Sequence, residues 1–130
     1  MRLYRKYIKR GVAESLSNIP FHSKAPVKRI SMLNKKMIPE SDIHVAVHFV
    51  DSKKDMPNNS ELHKHDKDEI NLILSDTGNL KYEVQLEDEV YTVSSQSTVF
   101  IPKHVRHRAR AISGKGIFVC IILSSKYKSS

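Results

Sequence analysis

His63, His65 and Glu69 stand in the stretch ELHKHDKDEINLIL and His107 in TVFIPKHVRHRARAI, so three imidazoles and a carboxylate are offered by two short segments. On a strand, alternate residues share a face, so His63 and His65 can point to one spot while Lys64 turns away. Glu69 has the same parity, but four residues of straight strand span about 13 Å. It reaches that spot only if the chain folds over, and Asp66-Lys67-Asp68 has the composition of a turn. Asn71 and Ile73 then continue the inward face, and Ile70, Leu72 and Leu74 form an apolar outward row. In the second segment Pro102 ends one strand and His107 opens the next. Ala109 and Ala111 share the face of His107, and Arg106, Arg108 and Arg110 take the other, where acidic neighbours are expected. An imidazole in a small apolar wall is a metal ligand or a costly buried polar group.

Three imidazoles and a carboxylate suit one divalent transition ion, Fe, Mn, Ni, Co, Cu or Zn. An ion held this way keeps positions open, where it can chelate a substrate, polarise it, activate water or bind dioxygen. The remaining candidates are weaker. His104 is either an acid/base group lining a pocket or an exposed loop residue. His44 and His48 share a strand face, turned inward or, as expected here, exposed. Cys120 sits in the apolar run IFVCIIL and is expected to be a buried, inert thiol.

These residues need a scaffold of strands. Ile43 to Val50 alternates, and EINLILS, LKYEVQL, EVYTV, TVFIP, RHRARAI and IFVCIIL follow, separated by turn formers at DTGN, SSQS and SGKG. DSKKDMPNNS reads as a loop, and VKRISML as a short strand. Leu3, Tyr4, Tyr7 and Ile8 suit one face of a short helix. Seven or eight short strands with little helix signal predict an all-β sandwich or barrel. With 130 residues and 39% hydrophobic residues, one core suffices. No apolar run is long enough for a helical membrane span.

The net charge of +8 is uneven: residues 1–36 carry ten Lys and Arg against Glu14 alone, while residues 37–130 carry twelve against thirteen acidic residues. The chain therefore divides into a basic arm (1–36), a near-neutral domain (37–125) and a tail (126–130). Basic charge confined to an arm argues against a nucleic-acid-binding face. The arm is expected to be solvated; the alternatives are that it packs on a neighbouring subunit, holds an anionic substrate near the site, or makes a weak contact with membrane or nucleic acid. No nucleic-acid or membrane partner is expected, and the single buried Cys120 suits a cytoplasmic protein.

The two segments resemble the motifs of the cupin superfamily over roughly residues 43–123. The first motif of that family runs Gly, five residues, His-x-His, three or four residues, Glu, about six residues, Gly. Here stand His63-Lys64-His65, three residues, Glu69, and eight residues to Gly78. The second runs Gly, five residues, Pro-x-Gly, two residues, His, three residues, Asn; here stand Pro102-Lys103-His104, two residues and His107. Pro57, Gln96, His104 and Ala111 occupy the positions of the missing glycines and asparagine. The resemblance implies a double-stranded β-helix, or jelly-roll, barrel with one metal on His63, His65, Glu69 and His107. It also implies a homodimer and an enzyme of the dioxygenase, isomerase or lyase kind acting on a small molecule, with Glu69 as ligand and occasional proton acceptor. The alternative is a non-catalytic module that binds or senses a small ligand.

Overall fold

The computed structural model describes residues 3–14, 28–53, 61–124, 126 and 129–130. The strands are β1 (Val12–Glu14), β2 (Lys28–Leu33), β3 (His44–Asp51), β4 (Glu69–Leu74), β5 (Lys81–Leu86), β6 (Glu89–Ser94), β7 (Ser97–Ile101), β8 (His107–Ser113) and β9 (Lys115–Ile122). They form a six-stranded sheet, ordered β1-β2-β3-β9-β4-β7, and a three-stranded sheet, ordered β6-β5-β8. All neighbours run antiparallel. The chain changes sheet at the turns after β4, β6, β7 and β8, and this is the connectivity of a jelly roll.

The expected closed barrel is not formed. Each sheet is open, and closure requires every strand to have two laddered neighbours. The turn Ser94–Ser97 carries the chain from β6 in one sheet to β7 in the other without a ladder between them. On the far side the His63 segment meets β8 only through an isolated bridge. The architecture is therefore two facing sheets, all β.

Alternation places the core between the sheets. Ile73, Phe118, Cys120 and Ile122 from the large sheet meet Tyr82, Val84 and Ala111 from the small one. Tyr82 stacks on Phe118 with ring centroids 4.7 Å apart, joining the layers. Glu69, Asn71 and Ile73 are buried, and Leu74 is exposed, in keeping with the predicted parity. Arg106 pairs with Glu87 and Arg110 with Glu83, so two of the three outward arginines meet the acidic neighbours expected of them.

Two parts of the arm belong to the large sheet, β2 as expected and β1, which the sequence pattern did not single out. The expected short helix is only a 3-10 turn at Arg5–Tyr7. Leu3, Tyr4, Tyr7 and Ile8 are all exposed, so no packed face supports further turns, and so short a helix does not persist alone. The stretch 54–60, including Pro57, lies outside the described residues.

Candidate metal centre

His63 and His107 are brought together by a backbone pair. The His63 N–H donates to the His107 carbonyl at 3.0 Å, and the His107 N–H donates to the His63 carbonyl at 2.7 Å. Residues directly opposite on antiparallel strands project to the same side, and these two rings lie 4.5 Å apart. His65, two residues on, places its ring 4.7 Å from that of His63 and 5.1 Å from that of His107. One ring nitrogen from each of the three histidines falls within 4.8 Å of the others, and all three residues are buried.

The chain bends at Asp66 and Lys67, as the composition predicted, and Glu69 opens β4 in the opposite sheet. Its Oε1 lies 3.1 Å from His65 Nε2 and 3.4 Å from His107 Nε2, while Asn71 Nδ2 donates to Oε2 at 2.8 Å. Burial would raise the Glu69 pKa, but the His107 and His65 imidazoles outweigh it and hold the carboxyl well below its ordinary range. Burial lowers the His107 pKa, and the Glu69 carboxylate more than reverses that.

The partners of the other ring nitrogens fix what the cluster can do. His63 Nδ1 is 2.5 Å from the Glu61 carbonyl, and His107 Nδ1 is 2.9 Å from the Val105 carbonyl. A carbonyl only accepts, so in both rings Nδ1 carries a proton, which leaves Nε2 as the nitrogen available to a metal. His107 Nε2 is buried and makes no hydrogen bond, its contact with Glu69 being long and poorly aligned. A buried acceptor left bare costs about 1–3 kcal/mol. Three buried ring nitrogens beside a carboxylate are a donor set that fits a divalent metal.

The overall shape has known counterparts. A RmlC-like cupin from Shewanella frigidimarina superposes with a TM-score of 0.60 at 14% identity, over 90% of this chain and 86% of that one. A cupin 2 domain-containing protein from Halorhodospira halophila gives 0.61 at 19% identity, over 78% and 66%. Oxalate decarboxylase from Bacillus subtilis, a protein with Mn(II) centres, gives 0.56 at 12% identity, over 92% of this chain and 31% of that longer one. The chain has the cupin fold. No protein-family model matches it, and no curated protein matches its sequence.

Within that cupin fold the departures from the motifs find explanations. Gln96, in place of a glycine, bonds the end of β4 from both sides: its Nε2 donates to the Ser75 carbonyl at 2.6 Å and its Oε1 accepts from the Ser75 N–H at 2.9 Å. Ala111, in place of the asparagine, is a buried core residue. His104 takes the turn position of the other glycine with φ at 70°, a left-handed conformation that histidine tolerates better than most residues. Its N–H donates to the His65 carbonyl at 2.7 Å, and the residue itself is exposed. Cys120 is buried, and burial first, then the Glu69 charge, push its thiol well above the ordinary value. The expected burial is thus observed.

The cupin interior holds a polar group that sequence reasoning missed. Arg29, only 4% exposed, donates from Nε to Glu14 at 3.0 Å, from Nη1 to His48 Nε2 at 3.0 Å and from Nη2 to His44 Nε2 at 3.1 Å. Ser31 donates to the other Glu14 oxygen. His44 and His48 are therefore buried on the inner face of β3 rather than exposed. Alternation offered both faces, and the buried guanidinium decides for the inner one. The signal lay in the parity of Arg29 and Ser31 on β2, hidden in a run of basic residues. A groove of about 690 Å³ beside Phe49, Leu74 and Ile117 lies at the other end of β3, β4 and β9 from Glu69 and takes no part in this centre.

One pH effect follows from this network. Burial, then the Arg29 charge, lower the His44 pKa below its ordinary 6.5, while the charges of Glu14 and Glu69 oppose them and His65 reinforces them. Below that value the unfolded chain binds a proton the folded one refuses, so this contribution is complete above about pH 6.5 and fades as the pH falls. Wild-type urea midpoints should decline more steeply from pH 7 to 5 than those of His44→Gln, which keeps an acceptor for Arg29. Parallel declines would show that His44 does not titrate in this way.

Proposed function

We propose that the protein is a metal-dependent cupin enzyme of the dioxygenase, isomerase or lyase kind, acting on a small oxygenated molecule. One divalent transition ion would be held by His63, His65, Glu69 and His107. The observation that carries this reading is the convergence of one ring nitrogen from each of the three buried histidines, two of the rings held by Nδ1–H bonds to carbonyls, with Glu69 Oε1 beside His65 and His107. When bound, such an ion supplies Lewis acidity and open positions for a chelating ligand.

The chain's own residues do the remaining work. Glu69 balances positive charge at the centre and, through Oε1, can accept a proton from a substrate hydroxyl. Asn71 holds the other carboxylate oxygen and keeps Oε1 turned toward the histidines. His104, an exposed residue whose backbone N–H is bonded to the His65 carbonyl, would be the second proton-transfer group. The molecule is read as a cytoplasmic homodimer with no nucleic-acid or membrane partner. No helix among the described residues is long and apolar enough to cross a membrane.

The test is elemental analysis of untagged protein, then oxygen uptake and product formation over a panel of small acids, diols and sugars with the occupying metal restored. A bound metal with turnover supports the reading; metal with ligand binding but no turnover identifies a binding module; no metal rejects it. His104→Gly should keep the metal and gain about 1 kcal/mol from relief of the left-handed backbone. Turnover falling while metal content stays constant would place His104 in proton transfer, and unchanged turnover would remove it.

A further inference from the structure

The three histidines are not oriented in the same way. His63 and His107 each bond a carbonyl two residues away within their own segments. His65 Nδ1 is 2.6 Å from Ser129 Oγ, a partner 64 residues away. Ser129 is bridged antiparallel to His65. Next to it, the Ser130 N–H donates to the Lys64 carbonyl at 2.9 Å and the Lys64 N–H donates to the Ser130 carbonyl at 2.8 Å. At the other end of the ligand segment, the Leu123 N–H donates to the Asp68 carbonyl at 3.1 Å.

We propose that Ser129 is a positioning residue of the metal centre, its hydroxyl accepting the Nδ1–H of His65 so that Nε2 faces the ion. The inference rests on the metal-centre reading above. Bonds from the outer nitrogen of a ligating histidine fix its tautomer and ring direction, and losing one typically costs about 10- to 100-fold in metal affinity. The other two rings receive this support from their own backbone. His65 receives it from a side chain, so a single substitution removes it without touching a ligand or the core.

The experiment titrates the metal-free full chain with Co(II), reading affinity by competition with a chelator and ligand geometry by the visible d–d absorption. Ser129→Ala should bind about 10- to 100-fold more weakly with altered d–d bands. Ser129→Thr, which keeps the hydroxyl, should stay close to the wild type. The thermal midpoints of the metal-free proteins should coincide, because the effect acts through His65 and not through stability. Unchanged affinity and spectrum in Ser129→Ala would overturn the proposal. Equal weakening in both variants, with lowered metal-free midpoints, would overturn it too, since packing rather than the hydroxyl would then be at work. A wild type that binds no Co(II) would instead overturn the metal-centre reading itself. Wild-type binding with an indifferent Ser129→Ala removes only Ser129.

Discussion

Replacement of His107 by alanine is expected to abolish stoichiometric metal binding while leaving the fold intact. His107 sits at the backbone pair with His63, and main-chain bonds hold that pair, so the alanine variant keeps the bridge. What disappears is one ring whose buried Nε2 has no hydrogen-bond partner in the protein. Removing that ring takes an ion-pair partner from the buried Glu69 carboxylate, so stability without metal should fall by about 1–3 kcal/mol while the sheets stay formed. Affinity behaves differently. Loss of a histidine's outer partner alone costs about 10- to 100-fold, and loss of the ligand must cost more. His63→Ala should behave alike. Glu69→Gln should retain weak binding, since an amide oxygen still coordinates and the imidazoles remain. Elemental analysis of the purified variants, with circular dichroism as the control for folding, decides it. Metal content equal to the wild type in both alanine variants would show that the cluster is not the site.

The parity rule made much of this centre legible. His63, His65 and Glu69 could be assigned to one side because strands alternate, and the bend that brings Glu69 back was visible in Asp66-Lys67-Asp68. His107 was legible from its apolar face of alanines. Closure into a barrel was not, because it depends on pairing between sheet edges far apart in sequence, and no local pattern encodes whether β6 meets β7. Strand β1 escaped notice since three residues carry no periodicity. Arg29 was read with the basic arm because composition counts charge without direction, whereas its burial follows from Glu14 and two histidines that only the folded sheet assembles. Ser129 was assigned to a tail for the same reason: its partner is 64 residues away.

Leu72→Glu should convert a homodimer into a monomer. The outward row Ile70, Leu72 and Leu74 is one part of a wider apolar surface on the large sheet. Leu72 stands opposite Val119 of β9, which stands opposite Val47 of β3, which faces Ile30 of β2. A parallel row runs Phe100, Ile70, Ile121 and Val45, and another Leu74, Ile117 and Phe49. Phe49, Leu74 and Phe100 are exposed and the others only partly buried. Monomers rarely leave so large an apolar face in water, and the basic arm is a poor cover for it. A second copy presenting the same face by two-fold symmetry buries both. Such an interface survives moderate salt, because apolar burial is not screened as charge pairs are. Two-fold symmetry would bury a carboxylate without a partner from each copy, and one alone costs about 4 kcal/mol, so the dissociation constant should rise by at least roughly a thousandfold. Sedimentation velocity at micromolar concentration should show a wild-type dimer at both low and moderate salt, and a Leu72→Glu monomer with unchanged circular dichroism. A monomeric wild type rejects the assembly, and a dimeric Leu72→Glu moves the interface to another surface.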